Sequence, residues 1–481
     1  MIFSAILSIL SSLIMMVVVL SCFKQVLVDN NDKLFIKFLA YLFTVDIALW
    51  FLMPATLRLF SNGQYEKELG IFPYEISFVY FVEMISTIIF FIVISVFMSR
   101  GRFRISFHPK HLLNFISFQG DRVSLYQSKV LFFSSLGCFI VLIDGNFFGI
   151  ISPFIPAIIA ESANKFFLAF FVSYIFLSDI SKFKFYFSLL ILFFMVLLDG
   201  IKGSHGSIVW PMIVLYFLVK TVKKFKSVNF AIALVVLMLA IFYKPLHDLR
   251  EYEYSLSEKL SPLERILLIA SPSNIPVDTS QIQSGLIDDI EWRFGENTRM
   301  SVGYLRMYER GFEGGLIPIE NTLHILPRSV VPDKPAPASI DGKITGMGMY
   351  LMHKEMRGTT NNMSGMSPGM HDYWLGGWTG VLLGAVIVGA WYSLILSVLL
   401  RLSGLALPII IAINDTWWQM TKIWSTEAII ISTNTIPLIL LWLVIGLFAA
   451  FLSKQFLNVI KQLIILALNP SIIRKINKDS G

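Results

Sequence analysis

The stretch HDYWLGGW (residues 371–378) marks the point at which a long polar block, beginning near Pro245, gives way to apolar sequence. Apolar runs close to 20 residues long occupy most of the chain on both sides of this block. A helical run of about that length matches the thickness of the hydrocarbon core of a bilayer. The pattern therefore predicts an all-α, polytopic membrane helix bundle with one large loop domain outside the membrane.

The composition supports the same class of protein. The chain has 481 residues, of which 56% are hydrophobic and 15% charged, and its mean hydropathy is +0.71. Soluble domains carry about 25% charged residues. The net charge of +7 does not indicate nucleic-acid binding, because the basic residues cluster between apolar runs, where they set membrane orientation. The first run, Ile2 to Phe23, lacks the basic region of a cleaved signal peptide, so we interpret it as a span.

The apolar runs predict about eleven transmembrane helices. Their expected ranges are 2–23, 38–58, 76–98, 130–150, 164–181, 184–199, 205–219, 228–244, 374–400, 405–424 and 435–453. If each run crosses once, the strong basic clusters all fall on one side, which is then cytoplasmic. The N-terminus and the polar block lie on the outer side.

This count divides the chain into four parts. They are transmembrane helices 1–8 (residues 1–244), an extracytoplasmic loop domain (245–372), transmembrane helices 9–11 (373–453) and a cytoplasmic basic tail (454–481). Residues 454–468 could lie as an amphipathic helix at the cytoplasmic surface. No internal repeat is visible.

The loop domain contains a predicted arginine-rich helix over residues 288–313. At 100° per residue, Arg299, Arg306 and Arg310 point within about 40° of one another, and Arg293 belongs to the same segment. Guanidinium groups on one face could clamp a phosphate or pyrophosphate. The alternative is a solvated face of ion pairs, because Glu296, Glu309 and Glu313 each lie three residues from an arginine.

A proline-rich segment follows, LPRSVVPDKP (residues 326–335). Its prolines restrict the backbone around Arg328 and Lys334. Stiffness of this kind suits a preorganised electrostatic site. A rigid structural loop over the mouth of the bundle is the alternative.

Two further segments could take part in chemistry. His371 and Asp372 stand where the chain returns to the membrane, and His371 could accept a proton from a hydroxyl group; alternatively, Asp372 only caps the following helix. Lys202 and His205 lie in a glycine-rich turn that could hold an anion or could be a simple hairpin. The histidines are scattered, so no metal site is predicted.

These residues resemble those of bacterial oligosaccharide repeat-unit polymerases, the Wzy-type O-antigen and capsular polysaccharide polymerases. The counterparts of the family's features are a small-residue turn at 203–206, the Arg and Asp-Lys-Pro segment at 327–335, and the aromatic-glycine return at 373–377. His205 departs from the arginine usual in that turn, which puts a phosphate-binding role there in doubt. The family also usually has both termini in the cytoplasm.

The resemblance implies a GT-C-like membrane glycosyltransferase without cofactors. Such an enzyme polymerises undecaprenyl-pyrophosphate-linked oligosaccharide repeat units on the periplasmic face of the bacterial inner (cytoplasmic) membrane. Its catalytic residues would be Arg328, His371 and Asp372. The residues expected to bind pyrophosphate or glycan are Arg293, Arg299, Arg306, Lys334, Lys202 and His205. Membrane lipid, a flippase and a chain-length regulator would be its partners, and nucleic acid would not.

The sequence is also compatible with two other functions. An O-antigen ligase uses the same lipid-linked donor. A transporter or flippase would use acidic residues in or beside the spans, namely Asp46, Glu83, Asp144, Asp179, Asp199, Asp415 and Glu427. The long polar block and the missing repeats favour the polymerase.

Overall fold

The computed structural model describes most of the predicted spans and short pieces of the polar block. The described residues are 2–29, 34–61, 63, 66–67, 70–98, 124–150, 155, 157–201, 213–218, 249, 252, 264–265, 267–268, 295, 298–299, 301–306, 308–309, 367–401, 405–416, 435–453 and 455. Every regular element in these residues is helical. The all-α fold is therefore confirmed for this part of the chain.

Among the described residues, ten α-helices have defined bounds. They are α1 (Ile2–Asp29), α2 (Leu34–Ile47), α3 (Met53–Ser61), α4 (Pro73–Met98), α5 (Leu125–Ile143), α6 (Ala157–Leu177), α7 (Lys182–Ile201), α8 (Pro368–Leu399), α9 (Ala406–Thr416) and α10 (Thr435–Ser453). A π-helical turn, Ala48–Leu52, joins α2 to α3.

Six described segments are long and apolar enough to cross a membrane. They are Ile2–Leu27, Leu34–Ser61, Pro73–Met98, Leu125–Ile143, Pro368–Leu399 and Thr435–Ser453. These coincide with six of the predicted spans, so the protein is a membrane protein. Helices α6, α7 and α9 overlap three more. The predicted span 228–244, most of 205–219 and all of the basic tail except residue 455 lie outside the described residues. The total of eleven spans and the loop domain stay predictions.

The chain divides into two compact units, and the first comprises Met1–Asp121 and Phe193–Ile436. Within it, α4 packs against both α1 and α8. Aromatic rings of α2, α4 and α8 pack together in this unit: Phe43, Phe90, Phe91 and Tyr392 are all buried, and the ring centroids of the contacting pairs are 4.9 to 6.1 Å apart. Edge-to-face contacts of this kind stabilise a core beyond simple burial.

A buried polar cluster links α3 to α4 in the same unit. The Arg58 guanidinium donates through Nε to Glu66 Oε1 (2.7 Å) and through Nη1 to the Tyr80 hydroxyl (3.2 Å). The Tyr80 hydroxyl in turn donates to the carbonyl of Phe51 (2.8 Å). The cluster therefore ties the turn that contains Glu66, the π-helical turn and α4 together.

The second unit comprises Arg122–Leu192 and Pro437–Gly481. Helix α5 begins with a capping box, in which Ser124 and Gln127 each hydrogen-bond the other's backbone N–H. The Ser134 hydroxyl donates to the carbonyl of Trp442 (3.0 Å), and the Trp442 indole donates to the Ser162 hydroxyl (3.0 Å). These bonds join α5, α6 and α10, because a polar group in an apolar surrounding needs a partner.

Candidate functional site

Helix α8 contains a sharp reversal at Gly376 and Gly377. Gly376 has φ −168° and ψ 29°, and Gly377 has φ 58° and ψ −144°. The second pair of angles is almost restricted to glycine. A Cβ atom at Gly377 would also overlap the Tyr308 hydroxyl. Only glycine fits this position, so the two glycines divide α8 into segments 368–375 and 378–399.

The reversal folds the first segment back onto the second. A Cβ atom on Gly380 would overlap the carbonyl of Asp372, and one on Gly384 would overlap the Asp372 carboxylate. In a straight helix, residues eight and twelve positions apart are separated by about 12 and 18 Å along the axis. Residues 368–375 and the start of 378–399 therefore form a helical hairpin, which we call the α8 hairpin.

The start of the α8 hairpin is held by Glu83 of α4, a fully buried side chain. Glu83 accepts the backbone N–H of Gly369 at Oε2 (3.1 Å) and of Met370 at Oε1 (2.8 Å). The first N–H groups of a helix have no partner within the helix, and a carboxylate there is also favoured by the helix dipole. Glu83, which the transporter interpretation treated as an ion-carrying acid, is thus engaged as a structural anchor.

His371 and Asp372 lie within the first segment of the hairpin. The His371 Nδ1 atom is 3.4 Å from Asp372 Oδ1, with side-chain exposures of 12% and 1%. The alternative that Asp372 caps the helix is wrong, because the helix begins at Pro368 with Ser367 as its N-cap. A carboxylate at Nδ1 orients an imidazole, so that proton exchange with a substrate would use Nε2.

The arginine-rich segment packs on this hairpin. The Ser301 and Ser367 hydroxyls are 2.7 Å apart, and the backbone N–H of Ser367 donates to the Ser301 hydroxyl (3.0 Å). The Tyr304 ring meets the Trp374 ring edge-on at a centroid distance of 5.4 Å. Residues 301–306, 308 and 309 are helical, in agreement with the predicted helix 288–313 where it is described. Two segments that are far apart in the sequence therefore pack against each other.

Arg306 is bound by a residue from a distant part of the chain. Its Nε and Nη2 atoms donate to Glu75 Oε1 (2.5 Å) and Oε2 (2.7 Å), and Nη2 also donates to the carbonyl of Gly70 (2.8 Å). The hydrogen bond with Glu75 is the main reason that the pKa of Arg306 is raised. The Arg306 guanidinium therefore forms its ion pair with Glu75 of α4, whereas the sequence suggested an ion pair with Glu309. A ligand anion would have to displace Glu75 from this fork.

Arg299 is also buried, with 3% of its surface exposed. Its guanidinium lies back along its own helix, where a Cβ atom at Gly295 would come within 2.6 Å of Nη1. Arg299 therefore does not lie on a solvated face, and its predicted partner Glu296 lies outside the described residues. A buried guanidinium is compatible with an anion site, and this role of Arg299 stays a prediction.

Five of the predicted site residues lie outside the described residues. They are Lys202, His205, Arg293, Arg328 and Lys334. Among the residues that are described, no group of three or more His, Cys, Asp or Glu side chains could hold a metal ion.

The sequence interpretation missed the partners of the site. Nothing in the neighbouring sequence indicates the roles of four residues, because each contacts a residue far away in the chain. They are Glu75, Ser301, Ser367 and Tyr308. The sequence shows Glu83 as an acidic residue in an apolar helix. Its role, however, depends on which backbone N–H groups lie next to it in the folded chain.

A comparison of the chain with models of protein families, with curated proteins and with solved structures finds no match in any of the three.

Proposed function

We propose that the protein is a membrane glycosyltransferase that polymerises undecaprenyl-pyrophosphate-linked oligosaccharide repeat units into O-antigen or capsular polysaccharide. The observation that supports this proposal is the packing of the arginine-bearing helical segment on the α8 hairpin, the element that carries His371 and Asp372. A proton acceptor and cationic groups are the two components that such a transfer requires.

The proposed reaction moves the growing glycan onto an acceptor sugar. A hydroxyl oxygen of the acceptor attacks the anomeric carbon of the donor, the bond from that carbon to the pyrophosphate oxygen breaks, and undecaprenyl pyrophosphate leaves. His371 takes the hydroxyl proton, while Asp372 orients the imidazole. Arg328 and the other predicted anion-binding residues would stabilise the charge that builds on the diphosphate.

Pyrophosphate is a good leaving group, so the protein needs no nucleotide, metal or strong acid for this step. In the proposed arrangement the polar block faces the periplasm, and the bundle of about eleven spans sits in the inner membrane. The flippase and the chain-length regulator of the same pathway would then be its functional partners. An O-antigen ligase is the nearest alternative, because it shares the donor.

A transporter is a second candidate, favoured by one observation. Asp46 is fully buried in a membrane-spanning segment, and neither of its carboxyl oxygens has a hydrogen-bond partner among the described residues. Buried acids in membrane spans often belong to ion pathways.

The test is the surface glycan of the host bacterium. Deletion of the gene should leave lipid capped with one repeat unit in place of a ladder of lengths. His371→Ala should lower polymer yield by roughly 10²- to 10⁴-fold at equal protein level, as expected for loss of a general base. The exposed Lys67, which has no proposed role, provides the control, since Lys67→Gln should keep the ladder.

Loss of the single-unit band together with the ladder would instead favour the ligase or the transporter. A His371→Ala variant with a normal ladder would remove the histidine from the mechanism.

A further inference from the structure

Asp46 lies at the end of α2, in the interior of the first unit. Its side chain is fully buried, as are those of its neighbours Phe43 and Ile47. Neither carboxyl oxygen makes a hydrogen bond within the part of the chain that the structure describes. A carboxylate in an apolar helix bundle without a partner is unusual, because the charged form is very costly to bury.

None of the charged or titratable groups on the described elements around α2 donates a hydrogen bond to this acid. These groups are Lys37 and Tyr41 on α2, Cys22, Lys24 and Asp29 on α1, Arg58 on α3, Glu75, Tyr80 and Glu83 on α4, Tyr216 on the segment 213–218, Tyr392 on α8 and Asp415 on α9. The cation on α3, Arg58, is engaged by Glu66 and Tyr80. Of these groups, Tyr392 interacts electrostatically with Asp46. A phenol supplies no positive charge, so it does not stabilise an ionised Asp46.

The backbone next to Asp46 is irregular as well. The π-helical turn Ala48–Leu52 begins two residues after it and interrupts the regular hydrogen-bond pattern of the α2–α3 segment. π-Helical turns inside longer helices are rare and occur frequently at functional sites. This second observation is independent of the burial of the carboxyl group.

We propose that Asp46 is a proton-binding site inside the membrane bundle, occupied by a proton at neutral pH. A proton is the ligand that fits, because it removes the charge and needs no cavity. A metal cation would need several oxygen ligands around it, whereas among the described residues the carboxyl oxygens of Asp46 make no hydrogen bond and only the Tyr392 phenol is recorded as interacting with them. The inference holds for a polymerase and for a transporter alike, so it does not depend on the function proposed above.

Infrared spectroscopy of the purified protein in nanodiscs tests the proposal directly. A protonated carboxyl group has a carbonyl stretch that is separate from the bands of an ionised carboxylate. At pH 7 the difference spectrum between wild type and Asp46→Asn should contain this stretch, and the band should shift in heavy water. The matched control Asp179→Asn removes an exposed carboxylate, so its difference spectrum should lack the band.

A second measurement uses dicyclohexylcarbodiimide, which adds covalently to protonated carboxyl groups in apolar surroundings. Mass spectrometry should find the adduct at Asp46 in wild type and in Asp179→Asn, and sodium ions should not protect against it. Absence of the infrared band in a folded protein would overturn the proposal, whether or not the reagent reaches the site. Protection by sodium would also overturn it, since the ligand would then be a metal cation.

Discussion

The carboxylate of Glu83 accepts the backbone N–H of Met370 at 2.8 Å, across 287 positions of sequence. With the parallel bond from Gly369 (3.1 Å), it holds the start of the α8 hairpin against α4. The position of His371 and Asp372 therefore depends on one acidic side chain in another membrane helix.

Replacing Glu83 should loosen the hairpin. Glu83→Ala leaves two buried N–H groups without a partner, and each orphaned donor costs about 1–3 kcal/mol. Glu83→Gln keeps one acceptor oxygen and should lose less. The melting temperature in detergent measures this order, with the exposed Glu309→Gln as a nearly silent control. Equal stability of Glu83→Ala and wild type would show that the anchor is not needed.

The reversal at Gly377 should not tolerate a side chain. Gly377→Ala places a Cβ atom at φ 58° and against the Tyr308 hydroxyl. A conformation of this kind costs a non-glycine residue about 1–3 kcal/mol, to which the overlap adds. Adding Tyr308→Phe should restore part of the stability, because it removes the overlapping oxygen but not the backbone strain.

Gly145→Ala is the matched control for this change, since a Cβ atom there would meet no atom within 4 Å. If both alanine variants melt at the same temperature as wild type, the hairpin geometry is wrong.

The ion pair between Arg306 and Glu75 should be energetically coupled. Their side chains are 16% and 2% exposed, so solvent screens the pair only in part. A double-mutant cycle with Arg306→Lys and Glu75→Gln should give a coupling of about 0.5–3 kcal/mol. Lysine retains the charge but not the two-pronged contact. As a control, Arg401→Lys at an exposed position should leave the free energy of unfolding unchanged. If the effects of Arg306→Lys and Glu75→Gln on that free energy simply add, the two residues are not paired.

Arg328 provides the sharpest test of the proposed chemistry. It follows Pro327 and has no carboxylate three or four residues away in either direction. If it holds the donor pyrophosphate through two hydrogen bonds, Arg328→Lys should fail almost as badly as Arg328→Ala. The expected loss is about 2–4 kcal/mol of transition-state stabilisation, or roughly 10²- to 10³-fold in rate.

Polymer length and yield at matched membrane levels of the protein measure this effect. Arg310→Lys is the control and should be nearly silent. Full activity of a normally expressed Arg328→Lys would exclude Arg328 from the site.

The orientation can be checked with a reporter that is active only in the periplasm. Fusion after Gly342, in the polar block, should give activity, and fusion after Lys224 should give none, because basic loops stay in the cytoplasm. The reverse pattern would place every proposed site residue on the wrong face of the membrane.

The class of the protein and most of its described helices could be predicted from the sequence. Helix formation in a membrane depends on the local run of apolar residues, since each backbone group pairs within its own helix. The spans 2–23, 76–98 and 435–453 were visible for this reason, and they agree with α1, α4 and α10. The aromatic return to the membrane near Trp374 was visible too.

The arrangement of the site was decided only by tertiary structure. The pair of glycines at 376–377 could be recognised in the sequence. Their backbone φ and ψ angles, however, depend on Tyr308 and on the packing of Asp372 against Gly380 and Gly384. The spacing along the sequence predicted an ion pair between Arg306 and Glu309, whereas in the folded chain Arg306 pairs with Glu75. Contacts between side chains hundreds of residues apart follow from how helices pack, and periodicity along one helix carries no information about the helix that it will meet.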